Sequence, residues 1–169
     1  MHLGVDKLAG DMQHVHIPIG KEVSLRAIAM MTRNVPKILK ILIVEDDNTS
    51  REVLRRILLE KGSVDAAPNG EQAISFFRKS LEQREHYNLV CLDIEMPQAS
   101  GHEVLTQIRK LEKENGIEGI FKTRVIMTTA SHGEDDVVNA YLGECDAYIL
   151  KPVVKKVIFE RMRELGLIR

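Results

Sequence analysis

Charge of one sign is what this chain lacks first: 24 basic residues stand against 25 acidic ones over 169 positions, a formal net charge of -1. Without a basic surplus to neutralise phosphates, the sequence excludes a dedicated nucleic-acid binder and points to protein partners. Long apolar runs are also missing. No stretch approaches the roughly 20 apolar residues needed to cross a bilayer, and the polar, acid-containing start does not read as a signal peptide, so the cytoplasm is the expected location and no membrane partner is expected. Cysteine is scarce: Cys91 and Cys145 form no CxxC pair and no metal-ligand cluster, and both read as reduced packing thiols. No internal repeat or low-complexity tract is present. What remains, 44% apolar residues in a chain of this length, suits one core with a short appendage.

From position 38 onward, short apolar runs alternate with amphipathic stretches, the pattern of βα units around a parallel sheet. The runs cover 41–44, 64–67, 89–92, 125–128 and 148–150, and most are continuously apolar, as strands covered on both faces must be. Between them, Thr49 and Glu52 have the spacing of a capping box ahead of a stripe of Leu54, Ile57 and Leu58 that stops at Gly62. Asn69 caps a helix carrying Ala73, Ile74, Phe77 and Leu81. Ser100 with Glu103 opens another, and Ser131 with Glu134 opens a fourth ahead of Val137, Val138 and Tyr141. Val154, Val157, Ile158, Met162 and Leu165 give the fifth helix its inner face. The reading is (βα)5, with surface loops or extended helix ends at 83–87 and 112–122. Residues 1–37 fit no complete unit: 14–19 reads as a short strand and 23–31 as a short helix, forming an extension of unknown role or the product of a start assigned upstream of Met30 or Met31.

Chemistry collects at the strand ends, where open parallel sheets bind ligands. The first strand ends in Glu45, Asp46 and Asp47, the third in Asp93, the fourth in Thr128 and Thr129, and the fifth in Lys151 followed by Pro152. Crowded carboxylates repel, and unpaired buried charge is expensive, so the cluster calls for a cation. Mg2+ prefers hard oxygen donors and keeps several waters, which suits Asp46 and Asp93 with a main-chain carbonyl; Lys151 would neutralise remaining charge. Such a site suits phosphoryl transfer onto an Asp nucleophile. Taken singly, each residue also has a plain reading: Asp47 or Asn48 supporting a helix start, Asp93 in a turn, Thr129 bonding a strand-end amide, Tyr148 as a half-buried aromatic. The pair His14 and His16, without further ligands, is weak as a metal site.

Four segments, ILIVEDD over 41–47, DIEMPQASG over 93–101, Thr129-Ala130 and YILKP over 148–152, together resemble the signature of response regulator receiver domains, in the same order and spacing. The resemblance covers about 38–169. It implies a flavodoxin-like doubly wound α/β sheet of order 2-1-3-4-5, a two-component phosphoacceptor on Asp93, and Mg2+ held by Asp46, Asp93, the main-chain carbonyl of Glu95 and, through water, Glu45. It further implies a switch hydroxyl on Thr129, a phosphate-contacting Lys151, an aromatic switch at Tyr148, and tuning of phosphoryl lifetime by Glu95 and Ser131. Departures are Thr128, the Cys145-Asp146 pair and Val153, none of which touches the phosphorylation chemistry.

On this resemblance the chain is expected to be no enzyme beyond Mg2+-dependent self-phosphorylation and autodephosphorylation. It would take its phosphoryl group from a histidine kinase or phosphotransfer protein and signal to a downstream protein, or form a homodimer, through the fourth helix, fifth strand and fifth helix. Because the chain ends at Arg169, just after the last helix, no output domain is expected. The alternative is a degenerate receiver acting as a phosphorylation-independent interaction module. A flavodoxin-like electron carrier would need a hydroxyl- and glycine-rich loop where Glu45-Asp46-Asp47 stands. A haloacid dehalogenase type phosphatase would carry its nucleophile after the first strand, whereas Asp93 follows the third.

Overall fold

The computed structural model describes residues 38–97, 99–130 and 144–169; they belong to the larger of two compact units, Ile38–Arg169. The strand and helix expected within 1–37, His14, His16, Ser131 and the helix expected to follow it lie outside the described residues.

Five strands, β1 (Leu39–Val44), β2 (Gly62–Ala67), β3 (Leu89–Asp93), β4 (Arg124–Thr129) and β5 (Ala147–Leu150), form one sheet in the order β2-β1-β3-β4-β5. All four pairings are parallel, as expected of strands joined by helical crossovers. The described helices are α1 (Asn48–Leu58), α2 (Gly70–Glu82), α3 (Gly101–Glu114) and α4 (Lys155–Glu164).

The apolar runs explain the layering. In β1, Leu42 and Val44 point to one face, where with Val90, Leu92, Val125 and Met127 they pack on Ile74 and Phe77 of α2 and Val104, Leu105 and Ile108 of α3. Ile41 and Ile43 point to the other face and join Cys91, Ile126 and Ile149 against Leu54 and Leu58 of α1 and Ile158 and Met162 of α4. The central strands β1, β3 and β4 are apolar at both parities because both faces are covered, which erases the alternation that the edge strand β2 still shows. The expected doubly wound α/β architecture and strand order are those of the molecule.

Local signals hold in part. Asn69 caps α2 by accepting from the Gln72 N–H, and Ser100 and Glu103 form a reciprocal capping box at α3. At α1 the expected Thr49–Glu52 box is replaced by Asp47, whose carboxylate accepts from the Ser50 N–H at 2.7 Å; a carboxylate also complements the positive end of the helix dipole, which Thr49 would not do. Glu52 instead pairs with Arg56 at 2.9 Å. The helix stops at Leu58, and Gly62 opens β2 rather than ending α1. A Cβ on Gly62 would lie 2.0 Å from the Leu39 carbonyl oxygen, so strand contact, not helix termination, explains that glycine. In the last helix Val154 is the cap position and is 57% exposed, while Phe159, absent from the expected stripe, is buried.

The stretch 112–122 divides into the end of α3 and a 3-10 turn, Gly119–Phe121, and it hides a buried polar network. Glu112, fully buried, accepts from Arg109 at 2.7 Å and from the Thr123 N–H at 2.6 Å. Arg109 also donates to the carbonyl oxygens of Thr123 and Glu144 and to Asp146. Asp146 in turn accepts from Arg124 and from the Val125 N–H. Arg109, Glu112, Arg124 and Asp146 each have a partner of opposite charge, as burial requires, and the network fixes the approach to β5 against the start of β4.

Candidate functional site

From β1 the chain runs outward to β2 and then returns across β1 to β3, so the strand order reverses between β1 and β3, the place where parallel sheets open a crevice. There the carboxylate oxygens of Glu45, Asp46 and Asp93 come within 4.8 Å of one another. Glu45 and Asp93 are 3% and 1% exposed, whereas Asp46 faces solvent. Lys151, delivered from the end of β5, places its Nζ 2.7 Å from Asp93 Oδ2 and 2.9 Å from Glu45 Oε2. Its own N–H donates to the Thr129 carbonyl, which sets the lysine beside the end of β4. The Lys151–Pro152 peptide is cis.

The backbone after Asp93 is folded back onto it. The Ile94 N–H donates to the Thr128 carbonyl and the Gly101 N–H to the Ile94 carbonyl, while the Glu95 N–H donates to Asp93 Oδ1 at 3.1 Å. A Cβ on Gly101 would lie 2.2 Å from the Asp93 carbonyl oxygen. Only glycine allows α3 to begin this close to the strand end, and the close approach helps hold the Asp93 backbone.

The electrostatics follow from burial. Desolvation raises the Glu45 carboxyl above its ordinary range; the Lys151 hydrogen bond works against this and the Asp93 charge adds to it. Burial alone would lower the Lys151 ammonium, but the hydrogen bonds and charges of Asp93 and Glu45 outweigh it and leave its pKa raised. Asp47, outside the cluster, is held low by the N–H of Ser50. Three acids opposed by one ammonium leave the site short of positive charge, and every donor in the cluster is a hard oxygen. That donor set fits a divalent cation of the magnesium type, with Asp46 on the open side where bound water can remain. A cleft of about 140 Å³ lined by Asp46, Pro68, Asn69, Met96 and Pro97 gives access.

The structure thus brings Glu45, Asp46, Asp93 and Lys151 into one cluster. Thr129, 7% exposed, ends the strand between those bearing Asp93 and Lys151. Tyr148 lies on β5, partly buried against the core cluster that includes Val125 and Met127; burial, then the neighbouring Cys145 thiol, raise its hydroxyl pKa. Glu95 is exposed two residues beyond Asp93. Two residues were not foreseen: Gly101 in its contact with Asp93, and Arg51, whose guanidinium donates to the carbonyl oxygens of Glu45 and Asp46 at 2.7 and 3.0 Å. An arginine four positions after the helix cap, one turn above an acidic loop, was the available signal.

Comparison with known proteins identifies the family and the fold. Residues 41–163 match the model of the response regulator receiver domain. The transcriptional regulatory protein ResD of Bacillus subtilis is 35% identical over 127 residues, which are 75% of this chain and 47% of that protein. The response regulator TrrA of Thermotoga maritima, solved in complex with Mg2+ and BeF, superposes with a TM-score of 0.61 at 32% identity, covering 76% of this chain and 99% of that one. The receiver domain of a Saccharomyces cerevisiae response regulator, co-crystallised with a histidine phosphotransfer signaling protein, gives a TM-score of 0.65 at 28% identity, covering 77% and 90%. The chain spans about half or less of the length of the curated relatives it matches. No helix among the described residues is long and apolar enough to cross a membrane.

Proposed function

The chain belongs to the response regulator receiver family of two-component signal transduction, and on that footing we propose that it accepts a phosphoryl group on Asp93 from a phosphohistidine of a kinase or phosphotransfer protein. The observation that carries the proposal is the Lys151 contact with both Asp93 and Glu45 beside the solvent-facing Asp46. An Asp93 oxygen attacks phosphorus, a new P–O bond forms, the donor's P–N bond breaks, and the released imidazole takes up a proton. Lys151 donates to the transferring oxygens and stabilises the negative charge they carry. Asp46 and Asp93, with the Glu95 carbonyl and with Glu45 through water, would hold Mg2+, which neutralises phosphoryl oxygens when bound.

Like other receivers, the chain is a phosphoacceptor rather than a classical enzyme. Phosphorylation adds a charge of roughly -2 at the end of β3, and the Thr129 hydroxyl, at the end of the neighbouring strand β4, then bonds the new group. The signal then passes to Tyr148 and to the surface made by the helix expected after Ser131, β5 and α4, where a downstream protein or a second copy docks in the cytoplasm; Glu95 and Ser131 set the lifetime. The intact Asp93, Glu45, Asp46, Thr129 and Lys151 set favour this over an interaction module indifferent to phosphorylation.

Intact mass after incubation with Mg2+ and a small-molecule phosphodonor tests the reading. One added phosphoryl group that requires Mg2+ and is lost in Asp93→Asn is expected; no adduct in the wild type under any donor would favour the interaction module.

A further inference from the structure

We propose that Arg51 is a positioning residue that sets the direction of the acidic pair, an inference that rests on the divalent-cation reading of the site. Strand β1 ends at Val44, and the peptides that follow must turn sharply to start α1 at Asn48. The Glu45 N–H still bonds the Ala67 carbonyl, but the carbonyls of Glu45 and Asp46 accept from a side chain of α1. Arg51 gathers them: Nη1 donates to both, at 2.7 and 3.0 Å, and Nη2 donates to Asn48 Oδ1 at 2.9 Å. The Arg51 N–H bonds the Asp47 carbonyl at 2.9 Å, so the first turn of α1 and the loop are tied at both the backbone and the side chain.

The peptide joining Glu45 to Asp46 carries one of these carbonyls, and its plane fixes the torsions on either side. If it rotates, the Asp46 side chain moves with it, and the spacing of the three carboxylates changes. A planar guanidinium offers several N–H groups in a fixed fork and reaches three acceptors at once; an ammonium is a point donor without that fork. The opposing effect is Coulombic. A cation beside a cation site repels the incoming ion, so if charge alone governed, removing Arg51 would tighten binding. Geometry and charge therefore predict opposite signs.

Calorimetric titration with MgCl2 alone, on the full chain, separates them. Arg51→Lys keeps the charge and loses the fork, and its Mg2+ dissociation constant is expected to rise about 10-fold, the lower end for groups that orient metal ligands. Arg51→Met loses both, and its affinity is expected to fall by a smaller factor than that of Arg51→Lys because the repulsion is also gone. In phosphorylation with a small-molecule donor, the defect is expected in the Mg2+ concentration for half-maximal rate and not in the plateau, a split that general unfolding would not produce; melting in chelator reports folding separately. An Arg51→Lys affinity within twofold of wild type, or tighter binding by Arg51→Met, overturns the role of Arg51. Failure of the wild type to bind Mg2+ overturns the cation reading itself, and the inference with it.

Discussion

Replacing Lys151 with methionine removes the only ammonium in contact with Glu45 and Asp93 among the described residues. At 2.7 Å and an effective dielectric of about 20, each such contact is worth about 6 kcal/mol before desolvation. Desolvation offsets most of that. What the substitution leaves is two carboxylates on side chains 3% and 2% exposed, and breaking a buried pair typically costs about 3–5 kcal/mol. The lysine retains 22% exposure, and Glu45, already raised by burial, can take up a proton, so the expected loss is about 2–3 kcal/mol at neutral pH. For a unit of this size that is a fall in Tm of roughly 6–12 °C. Thermal unfolding followed by circular dichroism in chelator measures it. Added Mg2+ is expected to stabilise Lys151→Met more than the wild type, because the ion then meets an acidic cluster with no competing ammonium; at 100 times the dissociation constant, binding alone contributes about 2.7 kcal/mol. A loss below about 0.5 kcal/mol in chelator, or equal Mg2+ increments in both proteins, would refute the charge argument.

Other consequences are as direct. Gly101→Ala forces a Cβ against the Asp93 carbonyl and is expected to cost about 1–3 kcal/mol in urea unfolding, with slower phosphorylation as the Asp93 loop shifts; full stability would show that the approach is not tight. Arg109→Met strands buried Glu112 and is expected to lose about 3–5 kcal/mol, which a matched Arg109→Met, Glu112→Met double variant should partly recover. Tyr87 bonds Asp65 at 2.7 Å and has a raised pKa, first through burial, so Tyr87→Phe is expected to lose about 1 kcal/mol at neutral pH. The Tyr87 contribution is complete below the ordinary value of 10.0 and fades as pH rises above it, because the unfolded chain ionises first; a Tyr87→Phe deficit that grew with alkaline pH would contradict this. The Cys91 thiol, buried and pushed up to about 12, should resist alkylation at pH ~8 until the protein unfolds, as peptide mass mapping would show.

What could be read from the sequence divides along the physics. Strand positions were legible because burial on both faces writes continuous apolar runs such as 41–44 and 89–92, and the acids and lysine at their ends fall together once the strands are parallel. Strand order came with the resemblance, since no single run states its neighbours, and the register is read from the structure alone. Misreadings arose where two residues offered the same chemistry: Thr49 and Asp47 both have capping groups, and only the backbone turn after Glu45 decides for Asp47. Gly62 had the look of a helix stop because the Leu39 backbone that it admits is distant in sequence. Arg51 and the Arg109–Glu112–Asp146 network escaped for a related reason. Charged residues on amphipathic helices read as solvated faces, and nothing local marks the ones whose partners are main-chain carbonyls or buried acids.

The central claim is that Asp93 is the residue that becomes an acyl phosphate. Reductive trapping tests it most directly: the chain is phosphorylated in Mg2+, treated with borohydride, digested and sequenced by mass spectrometry. Reduction of the acyl phosphate to homoserine at position 93 alone is the expected result, whereas homoserine at position 46 or 47, or none in a protein that carries the phosphoryl group, would contradict the account.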